Sequence, residues 1–207
     1  ISHNLDFLND HQLHPATHHH ALLAAFEYAW ARLTAEDKST LRRLSVFRGA
    51  FTLEAVEQIL GAKRHTLLAL VDRALLQRWD GGRGGKGYVL HEALRQFAQE
   101  QLRLQPEEGS STLQRYADYY TRFVKTREAA LVLPRGVPEH TQALAEIERE
   151  IDNIATAWQV ALARKQFGAI DNAFEGLHRF YHLRARFHEG YEAFERAALV
   201  VQSNGKA

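Results

Sequence analysis

Residues 80–99, DGGRGGKGYVLHEALRQFAQ, bring together glycines, basic side chains and a histidine, the residue types that bind phosphate. A phosphate-cradling P-loop needs glycine, four further residues and then Gly-Lys-Ser/Thr, placed between a buried strand and a helix. In this chain Gly87 follows Gly85-Lys86, and Asp80 stands where the first glycine of the motif belongs. A short β-like YVL follows instead of a helix. The pattern therefore excludes a P-loop.

The glycines instead predict the tip of a β-hairpin, because glycine tolerates positive φ in tight turns. The hairpin would join LLQRW to GYVLH. Before it, apolar residues recur with a helical period, with Thr34 and Thr52 as N-caps and Gly49 and Gly61 as helix ends. Helices followed by a hairpin and a returning helix over HEALRQFAQEQL predict a winged helix.

The second half of the chain shows only helical periodicity. QPEEGSS (105–111) is rich in helix breakers and predicts a linker. Apolar stripes then predict the helices 112–131, 141–164, 167–183 and 187–202. Long helices with short turns predict a TPR-like array of helical hairpins. The expected fold is mainly α, with a tether over 1–19, a winged helix over 20–105 and a helical domain over 112–207.

Composition narrows the function classes. Charged residues make up 25% of the chain, and the net charge is +1 with neutral histidines. This balance argues against a dedicated nucleic-acid binder. The chain contains no cysteine, so disulfides and Cys-ligated zinc are excluded. No apolar run reaches the roughly 18–20 residues that span a bilayer. We therefore expect a cytoplasmic location and no membrane partner. Because it opens at Ile1 and has no methionine, we expect a fragment of a longer protein.

The surface of the predicted winged helix is only mildly basic. The helix predicted over 64–78 would lie in the major groove if the domain bound DNA. Asp72 dilutes its positive charge. DNA is therefore not the expected partner, and a role in contacts between domains is favoured. The residues predicted to make those contacts are Arg64, Arg73, Arg78, Arg83 and Lys86.

The order of the segments resembles a known family. They follow one another as LDFL (5–8), ALLAAFEYAWARLTAEDKSTLRRLSVFRGAFTLEAVEQIL (21–60), LLALVDRALLQR (67–78), YVLHEALRQFAQEQL (88–102), RYADYY (115–120), EIEREIDNIATAWQVAL (146–162) and FYHLRARFHEGYEAFERAAL (180–199). This series resembles the region after the nucleotide-binding core of STAND-class regulatory ATPases. In particular, it resembles bacterial signalling proteins with an NB-ARC-like core, a winged helix and a TPR-like superhelix.

The resemblance implies a regulatory segment whose winged helix acts as a nucleotide-state lever. Leu90, His91 and Glu92 match a Met-His-Asp-type motif, which implies that His91 senses the phosphates of ADP in the intact parent. The parent would bind ADP or ATP with Mg²⁺, while this segment would hold no cofactor. Its partners would be the preceding nucleotide-binding and helical domains, with an effector protein or ligand on the TPR-like part. The residues alone leave open that His91 only packs or caps a helix.

Other groups of residues give no catalytic or metal site. The consecutive His18, His19 and His20 do not converge on one helix face. His178 and His182 have the i, i+4 spacing of a metal clamp, but Arg179 stands where the zincin motif has glutamate. No Ser-His-Asp set or carboxylate pair can be assembled, so we expect no enzyme activity. Two alternatives remain: a DNA-binding winged-helix transcription regulator with a helical sensor domain, and a plain helical scaffold.

Overall fold

A computed structural model describes residues 24–80 and 86–204. The first part of this range is a winged helix. Residues 24–31 form helix α1. The elements that follow are α2 (Ala35–Leu44), β1 (Ala50–Phe51), α3 (Leu53–Leu60), α4 (Arg64–Asp72), β2 (Gln77–Asp80), β3 (Lys86–Val89) and α5 (Glu92–Arg103).

The second part consists of helices. They are α6 (Pro106–Leu131), α7 (Pro138–Arg149), α8 (Ile151–Ala163), α9 (Phe167–Leu183) and α10 (Phe187–Asn204). The mainly helical fold with a small β-wing is therefore confirmed. The predicted tether over 1–19 and the three consecutive histidines lie outside the described residues. No helix among residues 24–80 and 86–204 is long and apolar enough to cross a membrane.

The predicted caps Thr34, Thr52 and Gly61 are confirmed, because such caps are local. Gly49 is not a helix end, since α2 already ends at Leu44. Thr34 Oγ1 accepts a hydrogen bond from the Asp37 amide, and Thr52 Oγ1 accepts one from the Ala55 amide, each at 3.1 Å. These hydroxyls satisfy amides that have no partner within the first turn of a helix. Gly61 ends α3 in the left-handed region with φ 66°.

The wing is an antiparallel sheet with the strand order β1-β3-β2. Phe51 on β1 and Arg78 on β2 both pair with Tyr88 on β3. A Cβ atom at Gly87 would lie 2.5 Å from the carbonyl oxygen of Phe51. Only glycine therefore lets β3 come this close to β1. The central strand of the wing is held against the segment that leads out of α2.

Three predicted boundaries were wrong for tertiary reasons. The helix predicted over 64–78 ends at Asp72, and Ala74 turns the chain with φ 57° into β2. The predicted linker at 105–111 is not a linker, because residues 106–111 form the beginning of helix α6. Pro106 occupies a position where a helix needs no amide hydrogen, and Glu108 is held by hydrogen bonds from Ser39 (2.6 Å) and Arg42.

The third boundary concerns the helix predicted over 141–164, which is divided at Glu150 into α7 and α8. The apolar period continues through Glu150, so periodicity gave no sign of the break. The side chain of Glu150 turns inward and accepts a hydrogen bond from the Tyr120 hydroxyl at 3.0 Å. A carboxylate that is only 5% exposed is thus satisfied at the bend between the two helices.

The helices of the second part are arranged around α6. A Cβ atom at Gly176 would lie 2.5 Å from Val124 Cγ1, so glycine permits the close approach of α9 to α6. Lys165 and Ala185 end α8 and α9 in the same left-handed conformation, each with φ 53°. The amides one residue later reach back to Ala161 and Tyr181, each at 2.9 Å. Two successive turns thus share one geometry, as in a hairpin array.

The winged helix and the helical part meet at the side chain of Asn153, which is 1% exposed. Its Oδ1 accepts hydrogen bonds from the Arg48 amide (2.7 Å) and the Tyr116 hydroxyl (3.1 Å). Its Nδ2 donates one hydrogen bond to the carbonyl oxygen of Ala50 (2.9 Å) and another to Glu150 Oε2 (3.1 Å). An amide N–H can only donate and a carbonyl can only accept, so these partners fix the orientation of the side chain.

We expect Asn153→Ala to lower the free energy of unfolding by about 3 kcal/mol, because it removes a buried side chain and takes its partner from the partly buried Arg48 amide and Ala50 carbonyl. Asn172→Ala is the matched control, since Asn172 is exposed on α9 and its loss should change the free energy by less than about 0.5 kcal/mol. Urea unfolding of both variants at neutral pH measures the difference. Equal effects would contradict the role of Asn153.

Glu150→Gln should stabilise the protein at neutral pH. Burial raises the pKa of Glu150, against the opposing hydrogen bonds from Tyr120 and Asn153. The unfolded chain therefore loses this proton at a lower pH than the folded chain, and the wild type loses stability as pH rises through that interval. Both bonds go to one oxygen, which an amide can replace. The melting temperature of Glu150→Gln minus that of wild type should grow from pH 4 to neutral pH.

Glu57→Gln is the control for this pH series, because Glu57 is exposed on α3. Its melting temperature should follow that of the wild type across the range. A difference between Glu150→Gln and wild type that is constant with pH would show that the burial of the Glu150 charge does not destabilise the fold.

Candidate nucleic-acid interface

Helices α3 and α4 form the helix-turn-helix of the winged helix, and α4 begins with three exposed basic or titratable side chains. Gly61 ends α3, and α4 buries Leu67 and Leu70 against the core. Lys63, Arg64 and His65 are exposed at the start of α4. The helical period places the apolar residues inward and leaves these three facing outward.

The start of α4 differs in charge from the start of α2. α2 has a threonine cap with Glu36 and Asp37 in its first turn, so acidic side chains offset the positive end of its dipole. α4 has no side-chain cap at Lys63 and no acidic residue in its first turn. Its first amides and the adjacent cations therefore both present positive charge to the solvent. Such a helix start suits an anion, including the phosphate of a nucleic-acid backbone.

The wing extends this positive surface. Arg64, Arg78 and Lys86 line one concavity of about 490 Å³ between α4 and the sheet. Trp79 and Leu68 supply apolar surface in the same concavity. The concavity also contains a carboxylate, Asp80, which pairs with Lys86 across the β2–β3 ladder. The net charge of its lining is positive, and the three cations come from three different elements, α4, β2 and β3.

The structure brings together three of the five residues predicted to make contacts between domains. Arg64, Arg78 and Lys86 share the concavity. Arg73 does not, because its guanidinium turns back to the carbonyl of Ala69 (3.2 Å) and lies 3.5 Å from Asp37 Oδ2. Arg83 lies outside the described residues. Their proposed role in contacts between domains stays a prediction.

His91 lies at the start of α5, at the junction between strand and helix that the sequence predicted. Its Nδ1 accepts a hydrogen bond from the Ala93 amide at 3.3 Å, so it caps the helix. Glu92 does not orient the imidazole but binds Arg95, with both hydrogen bonds at 2.7 Å. These bonds and a further hydrogen bond from Gln96, with a smaller effect of the Arg48 charge, lower the pKa of Glu92 to about 2. Phosphate sensing by His91 stays a prediction that no contact tests.

The histidines of α9 lie against aromatic rings. The ring centroid of His178 is 6.0 Å from that of Phe194, and the ring centroid of His182 is 5.9 Å from that of Phe187. Within residues 24–80 and 86–204, no three histidine, aspartate or glutamate side chains form a group that could hold a metal ion.

Sequence reasoning missed Lys63 and Trp79 as parts of the candidate interface. Lys63 opens the run Lys63-Arg64-His65, and a cluster of cations at the start of a predicted helix was the available signal. Trp79 lies in the LLQRW arm of the predicted hairpin, but the residues chosen as contacts were all cations, so the apolar ring beside Arg78 was not considered.

Comparisons with known proteins agree with the winged helix. A family model described as a winged helix-turn-helix domain matches residues 33–103. Relatives from Mycobacterium bovis and from two strains of Mycobacterium tuberculosis are each 30% identical over 186 residues. Each carries the name "Putative HTH-type transcriptional regulator". The alignments cover 84% of this chain, which spans only 20% of the length of these relatives. No solved structure matches.

These comparisons correct three expectations. The resemblance to STAND-class ATPases with an NB-ARC-like core is wrong, since the matches are to a winged helix-turn-helix domain and to proteins named as transcriptional regulators. The nucleotide-state lever and the ATP-binding parent, which depended on that resemblance, are wrong with it. The expectation that DNA is not the partner is also contradicted. It relied on the net charge of +1 and on Asp72 diluting the cations of the helix predicted over 64–78. Asp72 does not line the concavity in which Arg64, Arg78 and Lys86 meet.

Proposed function

We propose that this chain contains the DNA-binding winged helix of a transcription regulator. The observation that carries the proposal is the basic concavity of Arg64, Arg78 and Lys86 beside the uncapped start of α4. The match to a winged helix-turn-helix domain and the names of the relatives support the same class.

The geometry suits a duplex in a defined way. The N-terminal residues of a recognition helix are those that reach base edges in the major groove. Arg64 and His65 hold these positions on α4, and Arg64 has the fork of donors that matches guanine. Lys86 on the wing is placed for an adjacent phosphate. Phosphate contacts position the protein, whereas the contacts from α4 carry any sequence preference.

The helical part supplies no groups for chemistry in this proposal. We assign α6–α10 to a sensor or docking module and propose that the chain has no enzyme activity and needs no cofactor. The proposed activity takes place in the cytoplasm, where bacterial DNA lies. Partner helices or a small effector are suitable ligands for a hairpin array, because its stacked helices expose an extended surface.

Binding to duplex DNA should depend strongly on salt. On a duplex of random sequence Arg64 meets no preferred base, so Arg64, Arg78 and Lys86 each count as one phosphate contact. Three such contacts predict a slope of about −2.7 in a plot of log K against log salt, because each contributes about −0.9. Fluorescence anisotropy with a labelled duplex of random sequence measures this slope. Arg64→Gln and Lys86→Gln should each weaken binding and lower the magnitude of the slope by about one contact.

Arg135→Gln is the control, since Arg135 is an exposed arginine in the loop between α6 and α7. It removes the same charge from the chain and should leave both the affinity and the slope unchanged. The proposal fails if the wild type shows no salt-dependent binding. It also fails if Arg135→Gln weakens binding as much as Arg64→Gln does, because binding would then follow net charge alone.

A further inference from the structure

A second concavity lies on the other side of the winged helix, where it meets the helical part. It has a volume of about 440 Å³. The segment after α2 and the C-terminal half of α5 form one wall, and α6 and α8 form the other. A cleft of this size between two structural units is a common place for a small ligand.

The floor of this cleft is apolar. Val46 and Leu102 come from the winged helix and are buried, whereas Leu113 and Val160 come from α6 and α8 and are half-buried. A flat hydrocarbon or aromatic body could remove the half-buried Leu113 and Val160 from water, while Val46 and Leu102 already lie beneath them in the core. The gain in free energy would grow with the apolar area that is covered.

The rim of the cleft is positive. Arg48, Arg103 and Arg164 line it, and the described residues of its lining include no aspartate or glutamate. Arg103 is neutralised in part, because its guanidinium binds Glu100. Within residues 24–80 and 86–204, neither Arg48 nor Arg164 has a carboxylate within ion-pair distance. These two arginines therefore supply most of the positive charge.

The two main arginines stand on opposite walls. Arg48 precedes β1 in the winged helix, and Arg164 ends α8 in the helical part. Arg164 Nη2 donates a hydrogen bond to Ser110 Oγ at 3.0 Å, which directs its guanidinium towards the start of α6. An anionic group placed between the walls would receive charge-assisted hydrogen bonds from two units at once.

We infer that this cleft binds a small amphipathic anion, in which a carboxylate or sulfonate is attached to a flat apolar body. The acidic group binds Arg48 and Arg164, and the apolar body covers Leu113 and Val160. This site does not share residues with the proposed DNA interface. Binding at the cleft can therefore be tested without DNA, and its failure would leave the proposed function untouched.

The test uses the full 207-residue chain and two fluorescent probes with the same aromatic body. Anilinonaphthalene sulfonate carries a negative charge, whereas N-phenylnaphthylamine is neutral. The sulfonate should bind saturably. Arg48→Gln and Arg164→Gln should each raise its dissociation constant by about tenfold, the effect of losing one charge-assisted hydrogen bond. The same substitutions should change the affinity for the neutral probe by less than about twofold.

Two controls locate the probe. Arg135→Gln combined with Arg149→Gln removes two exposed arginines that do not line the cleft, and it should leave the affinity unchanged. Phe187→Ser combined with Tyr191→Ser removes exposed aromatic surface from α10, a competing site for the probe, and should also have no effect.

The inference is overturned if both probes bind with affinities that ignore Arg48 and Arg164, or if the α10 variant abolishes the signal. Thermal unfolding of each variant shows whether the fold is retained. Should Arg48→Gln unfold, Arg164→Gln decides the question alone. Arg164 is exposed, and among residues 24–80 and 86–204 its side chain is held only by the hydroxyl of Ser110.

Discussion

The buried amide of Asn153 is the interaction on which the arrangement of this chain depends. It satisfies the Arg48 amide and the Ala50 carbonyl, two partly buried backbone groups at the start of the short strand β1. Phe47 packs beside it, with its ring centroid 4.4 Å from that of Phe51 and 5.6 Å from that of Tyr116. The hydrogen bonds of Asn153 thus fix the geometry at this point, and the surrounding aromatic rings shield them from water.

The sequence predicts the features of this fold that are fixed by neighbouring residues. Thr34, Thr52 and Gly61 were identifiable because a cap or a left-handed turn involves only the adjoining backbone. The start of α6 at Pro106 was missed because Glu108 is stabilised by α2, far away in the sequence. The break at Glu150 was missed for the same reason. A buried carboxylate depends on partners that periodicity cannot show.

The sequence predicted three cations of the candidate interface but assigned them to contacts between domains and not to DNA. Arg64, Arg78 and Lys86 were chosen as exposed cations, and exposure follows from the helical and strand periods. Arg73 satisfied the same criterion, but Asp37 on α2 draws it away. The purpose was misjudged because a winged helix serves many functions, and the order of segments identifies a fold better than an activity. Function had to be argued from local charge.

The segment from Arg48 to Phe51 joins the three features that matter most. Arg48 lines the basic cleft, the backbone on either side of Gly49 is held by Asn153, and Phe51 pairs with β3 of the wing. The C-terminal half of α5 forms a cleft wall, and its N-terminus follows β3 directly. A ligand that bound differently to two positions of this segment would also shift the wing, because Phe51 pairs with β3. In that case the coupling would be reciprocal, and DNA bound at the proposed interface would change the affinity of the cleft by the same factor.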